Sequence, residues 1–193
     1  MPDLAPLTAL GDTAPRSARV GALTLTENPD IALASLALRR GTPVPTPFGL
    51  ALPGPGGWVQ AGDYAAFWTA PDQWMIEAPG RAESDFAAGL AQIAQGCSVT
   101  DQTDGWVCIE ITSTTGATPI VRLMEKLVNI DTARFTPGSA TRTGLEHQGV
   151  IVIRRAEDRL AVWGMRSLAG SLWHALETAA QRREERENGS RTD

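Results

Sequence analysis

The chain of 193 residues has little of several residue types on which common chemistries depend. It contains 2 cysteines, Cys97 and Cys108, which are too few for a disulfide framework or a cysteine zinc site. Both lie in predicted strands, so we expect buried packing residues. The 2 histidines, His147 and His174, exclude a histidine-rich metal site and disfavour a histidine-based triad. We expect His147 at a turn and His174 partly exposed on the last helix.

Long hydrophobic runs and nucleotide-binding motifs are also missing. No apolar run approaches the roughly 18–20 residues that a membrane helix needs. The N-terminus has no basic segment followed by an apolar core, so we expect no signal peptide and a cytoplasmic protein. The net charge of −5 argues against nucleic acid and anionic membranes as partners. G-x-G-x-x-G, G-x-x-x-x-G-K-[ST] and G-x-S-x-G patterns do not occur, which disfavours a Rossmann site, a P-loop and a hydrolase nucleophile elbow.

Composition divides the chain into three parts. Residues 1–19 are rich in Pro, Ala and Thr without periodicity and are predicted to be a flexible N-terminal arm. Residues 20–180 are predicted to form a single α+β domain with an internal pseudo-repeat. Residues 181–193 form a polar C-terminal tail, whose start is able to extend the preceding helix. Within the domain, a Gly/Pro-rich stretch over 43–57 predicts a long loop, and such loops tend to be functional.

The pseudo-repeat is a strand–turn–strand–helix module that occurs twice. The first copy has strands over Tyr64–Ala70 and 74–78, and the second over 149–155 and 159–164. Helical spacing then follows each strand pair. The predicted helix faces consist of Phe86, Leu90, Ile93 and Ala94 in the first copy, and of Leu168, Leu172, Leu176 and Ala179 in the second.

Other segments surround the two modules. Leu23–Glu27 alternates as a strand, and 31–40 is compatible with either a strand or a helix. Residues 98–103 and 107–112 are predicted to pair as a hairpin across Asp104-Gly105. A third helix begins near Gly116, and Pro119 fits only in its first turn. The predicted fold class is an α+β sandwich with antiparallel sheets and helices on one face of each sheet.

Polar residues give two weak candidates for a site. An acidic residue in a deep pocket would be Asp101, Asp104 or Glu146, although aspartate also suits tight turns. Four arginines lie on strands that are predicted to be neighbours, where they would bind a carboxylate or an acidic partner, or else face solvent. These arginines are Arg142, Arg154, Arg155 and Arg166.

The 6 tryptophans are the strongest positive signal from composition. Each indole N–H needs a partner when it is buried, and tryptophan is enriched at interface hot spots. Packing in the core would account for most of them equally well. We expect Trp58, next to the Gly/Pro loop, to be the one that faces another chain.

From Tyr64 to Ala180 the chain resembles the gamma subunit of heterotetrameric sarcosine oxidase. The resemblance is carried by six segments taken in order, none of which is specific alone. These segments are WTAPDQWMI (68–76), VTDQTDGW (99–106), KLVNID (126–131), PGSATRTGLEH (137–147), GVIVIRR (149–155) and GMRSLAGSLW (164–173).

The same segments more distantly resemble the glycine-cleavage T-protein (aminomethyltransferase) family. T-proteins carry a Gly-Gly-hydrophobic-hydrophobic-Asp-Asp insertion before the strand equivalent to 150–155, and its acidic residue is expected to serve folate chemistry. Here Glu146, His147, Gln148 and Gly149 lead directly into Val150 without an Asp pair. The resemblance therefore implies a folate-binding (T-protein-like) fold without its acid.

The sarcosine oxidase resemblance implies a non-catalytic gamma subunit with no catalytic, cofactor-binding or metal residue of its own. The implied complex demethylates sarcosine to glycine, forms hydrogen peroxide and passes the methyl carbon to tetrahydrofolate, which links sarcosine catabolism to one-carbon metabolism. FAD, FMN, NAD and tetrahydrofolate would be bound by other subunits. The partners would be the alpha, beta and delta subunits, mainly alpha. The alternatives are a free-standing folate-binding or aminomethyltransferase-like enzyme, and a gamma-like subunit of another complex that oxidises N-methyl amines.

Overall fold

The protein folds into two antiparallel sheets and three α-helices, as seen in a computed structural model that describes residues 6–189. Sheet A has the strand order β1-β2-β8-β11-β10-β9, and sheet B has the order β4-β5-β6-β3-β7. The strands are β1 (Ser17–Val20), β2 (Leu23–Glu27), β3 (Ile31–Leu38), β4 (Trp58–Ala61), β5 (Tyr64–Ala70), β6 (Gln73–Pro79), β7 (Cys97–Asp101), β8 (Trp106–Ser113), β9 (Ser139–Leu145), β10 (Gln148–Ala156) and β11 (Arg159–Met165). The helices are α1 (Phe86–Ile93), α2 (Ala117–Leu127) and α3 (Ala169–Gly189).

The two sheets pack face to face, and the helices cover their outer faces. Residues from both sheets, among them Phe67, Ile153 and Trp163, form the apolar layer between them. Helices α2 and α3 pack on the outer face of sheet A. Helix α1 and the loop around Leu50 pack on the outer face of sheet B. The predicted α+β sandwich with antiparallel sheets and helices on one face of each sheet is therefore confirmed.

Alternation along β10 decides which residues reach the layer between the sheets. Val150 and Val152 contact the helix layer, whereas Ile151 and Ile153 contact sheet B. Successive side chains of a strand point to opposite faces. Arg155 consequently lies between the sheets, and its neighbour Arg154 lies on the other face.

Most predicted elements occur where the sequence places them. Leu23–Glu27 and Tyr64–Ala70 are strands with the predicted bounds, and Pro119 lies in the first turn of α2. The segment for which a strand and a helix were both open is strand β3. Asp85 caps α1 by accepting a hydrogen bond from the backbone N–H of Ala88 at 3.1 Å. None of the helices among residues 6–189 is long and apolar enough to cross a membrane.

The predicted hairpin across Asp104-Gly105 is wrong. Strand β7 pairs with β3 in sheet B, whereas β8 pairs with β2 and β11 in sheet A. Residues Thr103–Gly105 form a 3₁₀ turn that carries the chain from one sheet to the other. A type I′ hairpin needs positive φ at both central residues, and neither Asp104 nor Gly105 has it. The Thr103 hydroxyl fixes the crossing by accepting a hydrogen bond from the backbone N–H of Leu33 at 3.1 Å.

The predicted boundary of the N-terminal arm also needs correction, whereas the start of the polar tail extends the preceding helix as the sequence allowed. The arm ends before Ser17 rather than at residue 19, because Ser17–Val20 pairs with β2 along a sheet edge. The carboxylate of buried Glu27 accepts hydrogen bonds from the backbone N–H groups of Leu10 at 3.0 Å and Arg16 at 3.2 Å. The polar tail is helical as far as Gly189, since α3 continues to that residue. Residues 1–5 and 190–193 lie outside the described part of the chain.

Two apolar residues predicted on buried helix faces are exposed. Ile93 is the last residue of α1, and the buried face is completed instead by Ala94. Leu168 belongs to a 3₁₀ turn that precedes α3, so the helical spacing that buries Leu172 and Leu176 does not extend to it.

Candidate functional site

A buried carboxylate, Glu77 of β6, is the centre of a polar cluster between the two sheets. Its Oε2 accepts hydrogen bonds from Trp58 Nε1 at 3.1 Å and from an Arg155 Nη atom at 2.9 Å. Its Oε1 accepts hydrogen bonds from the other Arg155 Nη atom at 2.8 Å and from Trp163 Nε1 at 2.8 Å. Glu77 and Trp58 come from sheet B, whereas Arg155 and Trp163 come from sheet A. The cluster therefore joins the sheets through three hydrogen bonds, and the fourth, from Trp58, lies within sheet B.

Arg155 carries the positive charge of this cluster. Its guanidinium pairs with both Glu77 oxygens and lies 5.3 Å from the centre of the Trp58 ring. Burial opposes the charge, but the neighbouring carboxylates of Glu77 and Glu110 outweigh burial and raise the pKa of Arg155. Arg155 therefore stays charged wherever the protein is folded.

A second carboxylate, Glu110 of β8, lies at the margin of the cluster with incomplete pairing. Its Oε1 is 3.1 Å from Arg155 Nε, although the N–H direction does not form a hydrogen bond, and its Oε2 is buried without a partner. Burial raises the pKa of Glu110, and the negative charge of Glu77 adds to that effect while Arg155 opposes it. Burial and the Glu110 carboxylate also raise the pKa of the Cys108 thiol, whose sulfur lies 3.8 Å from Glu110 Oε1.

The raised pKa of Glu110 predicts how stability depends on pH. The folded state holds a proton on Glu110 more tightly than the unfolded chain does. This contribution to stability is complete below the ordinary glutamate pKa of 4.5 and is lost as the pH rises through the folded value. Relative to the variant Glu110→Gln, the wild type should therefore lose stability over the pH range above that value.

Urea unfolding of both proteins over this pH range measures the difference. Glu125→Gln, at an exposed position on α2, is the matched control and should follow the wild type. A stability difference between Glu110→Gln and the wild type that does not change with pH would contradict the assignment.

The cluster has the geometry of a structural element rather than of a catalytic acid or base. All four hydrogen bonds to Glu77 come from donors that are fixed in the two sheets. A carboxylate in such a setting has no free lone pair facing a cavity, and proton transfer requires contact with the reacting group. The cluster therefore orients two sheets and leaves Glu77 unavailable to a substrate.

The predicted exposure of Trp58 is wrong. Trp58 is 9% exposed, because its ring packs between the sheets and its N–H binds Glu77. Trp74, Trp163 and Trp173 are buried as well, whereas Trp68 and Trp106 are only half-buried. Core packing thus accounts for four of the 6 tryptophans.

The four candidate arginines do not form one cluster. Arg155 faces sheet B, and Arg154 faces the helix layer, where it binds the backbone carbonyl of Glu157. Burial lowers the pKa of Arg154, and the nearby Glu157 carboxylate opposes that effect. Arg166 Nη2 donates a hydrogen bond to the carbonyl of Leu7 at 2.9 Å, and Arg142 is exposed on β9. Because side chains alternate between the two faces of a strand, the neighbouring residues Arg154 and Arg155 lie on opposite faces of sheet A.

The three candidate acids do not meet in a pocket either. Asp101 Oδ1 accepts hydrogen bonds from the Thr103 backbone N–H at 2.9 Å and from its hydroxyl at 2.7 Å, which is a turn contact. Glu146 and His147 are exposed in the turn between β9 and β10, where Glu146 has a φ of 50°. Asp104 lines a cavity, described next. His174 is exposed on α3, and Cys97 and Cys108 are buried, as predicted.

The cavity beside Asp104 lies at one end of the layer between the sheets and measures about 350 Å³. The N-terminal residues Leu7 and Thr8 form one wall, and Trp106 and Trp163 form part of the other. The carboxylate of Glu27, which also lines it, is engaged by the backbone of the N-terminal segment. Among residues 6–189 there is no group of three or more His, Cys, Asp or Glu side chains arranged to hold a metal ion.

A second depression, which we call the β9 groove, measures about 440 Å³ and lies between β5, β6, β8, β9 and β10. Trp68, Met75, Trp106 and Ile151 form its apolar wall. Arg142 lies at its margin. No acidic residue lines this groove, so it offers an apolar surface with one cation.

Solved structures of two other proteins have the same architecture. One chain of heterotetrameric sarcosine oxidase from Corynebacterium sp. U-96, in complex with pyrrole 2-carboxylate, superposes with a TM-score of 0.67 at 19% identity. The match covers 86% of this chain and 87% of that chain. The glycine cleavage system aminomethyltransferase T from Bartonella henselae superposes with a TM-score of 0.56 at 13% identity. The chain has the T-protein-like fold.

The coverage differs between the two structures. The match to the aminomethyltransferase covers 79% of this chain but only 44% of that one, so this chain spans less than half of its length. No family model matches the sequence, and no curated protein matches it. At these identities the likeness concerns the fold alone.

The sequence contains a signal for the Glu77 cluster. Glu77 stands between Ile76 and Ala78 in an otherwise apolar strand, and Arg155 follows the apolar run 150–153. A charge inside a buried strand is costly unless an opposite charge meets it. Each of these two charged side chains therefore requires a partner of opposite charge. The sequence does not indicate that the two strands face each other.

Proposed function

We propose that this chain is a non-catalytic subunit, in the gamma position, of a heterotetrameric flavoenzyme of the sarcosine oxidase type. In this proposal the larger subunits demethylate sarcosine to glycine and bind FAD, FMN, NAD and tetrahydrofolate. The alpha, beta and delta subunits are the partners, and alpha provides the main contact.

The single observation that carries the proposal is the filled centre of the layer between the sheets. Arg155, Trp58 and Trp163 occupy the centre of the sandwich and engage both carboxylate oxygens of Glu77, which is fully buried there. A T-protein-like fold whose interior is closed in this way is suited to packing against other chains rather than to holding a substrate.

The comparison with sarcosine oxidase supports the same proposal. The matched regions make up 86% of this chain and 87% of the other, so the two chains are of nearly equal length. The resemblance of this chain is thus to a whole small chain of a four-subunit oxidase and not to a part of a larger one.

One observation favours a free-standing folate-binding or aminomethyl-transferring protein instead. Asp104 and Trp106 line the cavity of about 350 Å³, which gives a carboxylate and an aromatic surface beside a partly open space. A gamma-like subunit of a complex that oxidises another N-methyl amine fits the same fold, because a different subunit would select the substrate.

Co-expression with the large flavoprotein chains of the assembly tests the proposal. The tagged chain should elute in size-exclusion chromatography with stoichiometric alpha and beta chains and with flavin absorbance. Expressed without them, it should be colourless and should not bind tetrahydrofolate in calorimetry. Elution apart from the flavoprotein together with tetrahydrofolate binding by the free chain would overturn the proposal in favour of the folate protein.

A further inference from the structure

Strand β9 forms one margin of sheet A, and its outer edge is covered only at the beginning. The backbone N–H of Ala140 donates to the carbonyl of Gly56 at 2.8 Å, and the N–H of Trp58 donates to the carbonyl of Gly138 at 2.7 Å. Gly57 and Ser139 form an isolated bridge at the same place. Beyond Ala140 no further strand follows β9 within the described part of the chain.

The direction of the Ala140 N–H determines which later backbone groups face outward. In an antiparallel pair, residues alternate between those that exchange hydrogen bonds with the partner strand and those that do not. Ala140 directs its N–H away from β10, so Arg142 and Gly144 do the same. Thr141 and Thr143 bond to Val152 and Val150 in the sheet. The backbone at Arg142 and Gly144 is thus available to another strand.

The β9 groove lies next to this free edge and is open to apolar side chains. Met75, Trp106 and Ile151 line it from the layer between the sheets. Met165 is paired opposite Trp106 across β8 and β11, extends the same face, and is 44% exposed. A side chain that projects inward from a strand added to β9 would enter this region.

Arg142 supplies a charge that nothing in the described residues neutralises. It shares the inward face of β9 with Ala140, and it has neither an ion pair nor a hydrogen bond of its side chain within residues 6–189. The next residue on that face, Gly144, has nothing within 4 Å of a Cβ built on it, and it is paired with Gly149. The edge beside Arg142 therefore leaves room for the side chains of a partner.

We propose that the free edge of β9 accepts an extended segment of the larger subunit as an additional strand of sheet A. The segment hydrogen-bonds to the backbone of Arg142 and Gly144, places an apolar side chain in the β9 groove and pairs a carboxylate with Arg142. In strand addition, main-chain bonds provide affinity and side-chain pockets provide specificity. This inference rests on the proposed function, because it names the surface through which the subunit docks.

Two variants test the two parts of the contact in the full-length chain. Arg142→Glu should weaken binding to the purified remainder of the complex roughly thirtyfold or more, because it opposes like charges. Gly144→Pro removes an outward N–H without removing a bond to β10, since proline is tolerated at strand edges. It should weaken binding roughly three- to tenfold. Interferometry gives both dissociation constants.

Arg134→Glu is the matched control, because its side chain is 90% exposed and lies before β9. It should bind like the wild type, and thermal melts should show all three variants folded. Wild-type affinity in both Arg142→Glu and Gly144→Pro would overturn the docking site while leaving the subunit proposal intact. Failure of the wild type itself to bind would overturn the subunit proposal. Self-association of the wild type that either variant abolishes would overturn the larger subunit as the occupant.

Discussion

Replacing Arg155 with Met is expected to lower the free energy of unfolding by about 3–5 kcal/mol. The substitution preserves much of the side-chain volume but leaves the carboxylate of Glu77 buried without a cation. Only the two indole N–H groups of Trp58 and Trp163 would still bind it. Equilibrium unfolding in urea, followed by tryptophan fluorescence, measures the loss.

Arg154→Met is the matched control on the adjacent residue of the same strand. Arg154 is also buried, but its charged partner Glu157 is 71% exposed, so removing the arginine leaves no buried charge behind. Its Nε and one Nη have no hydrogen-bond partner, so few bonds are lost. The control should change stability by less than about 1 kcal/mol. Equal losses in the two variants would show that the Glu77 cluster does not hold the sheets together.

Replacing Leu172 with Ala is expected to cost about 2–5 kcal/mol. Leu172 is completely buried in the core between sheet A, α2 and α3, and its side chain lies against Gly164 of β11. The truncation removes apolar contacts and leaves a cavity that helix α3 cannot easily fill. The shift of the urea midpoint measures the cost.

Leu168→Ala is the corresponding control, because the sequence places both leucines on one helix face. Leu168 is 42% exposed, and the same truncation there should change stability by no more than about 0.5 kcal/mol. Similar losses at both positions would mean that α3 begins earlier and buries Leu168 with Leu172.

Periodicity predicted the elements of this fold where one pattern had only one interpretation. The strand Leu23–Glu27 alternates clearly, Tyr64–Ala70 is strand-like in composition, and the buried stripe of α2 is helical. Asp104-Gly105 was different, because the same dipeptide serves a hairpin and a crossing between sheets. The hydrogen bonds of Thr103 with Leu33 and Asp101 decide for the crossing. Leu33 is distant from Thr103 in the chain, whereas Asp101 belongs to the turn itself.

The site was predicted less well than the fold, for a related reason. The sequence marks Trp58, Arg154 and Arg155 as unusual but does not say which face of the sandwich each one occupies. A shift of one residue along β10 would exchange Arg154 and Arg155 between the helix layer and the layer between the sheets. The position of Arg155 against Glu77 depends on the packing of two strands from different sheets.

Composition and periodicity were enough to predict the class of this protein: short strands, three amphipathic helices and too few cysteines and histidines for a cysteine zinc site or a histidine-rich metal site. Local patterns suffice for that, because periodicity and composition act through neighbouring residues. The meeting of Glu77 with Arg155, Trp58 and Trp163 depends on tertiary packing, and so does the position of Arg142 and Gly144 on a free edge. The contact of Trp163 with Glu77 joins residues 86 positions apart and arises from the stacking of the sheets. No local pattern encodes that stacking.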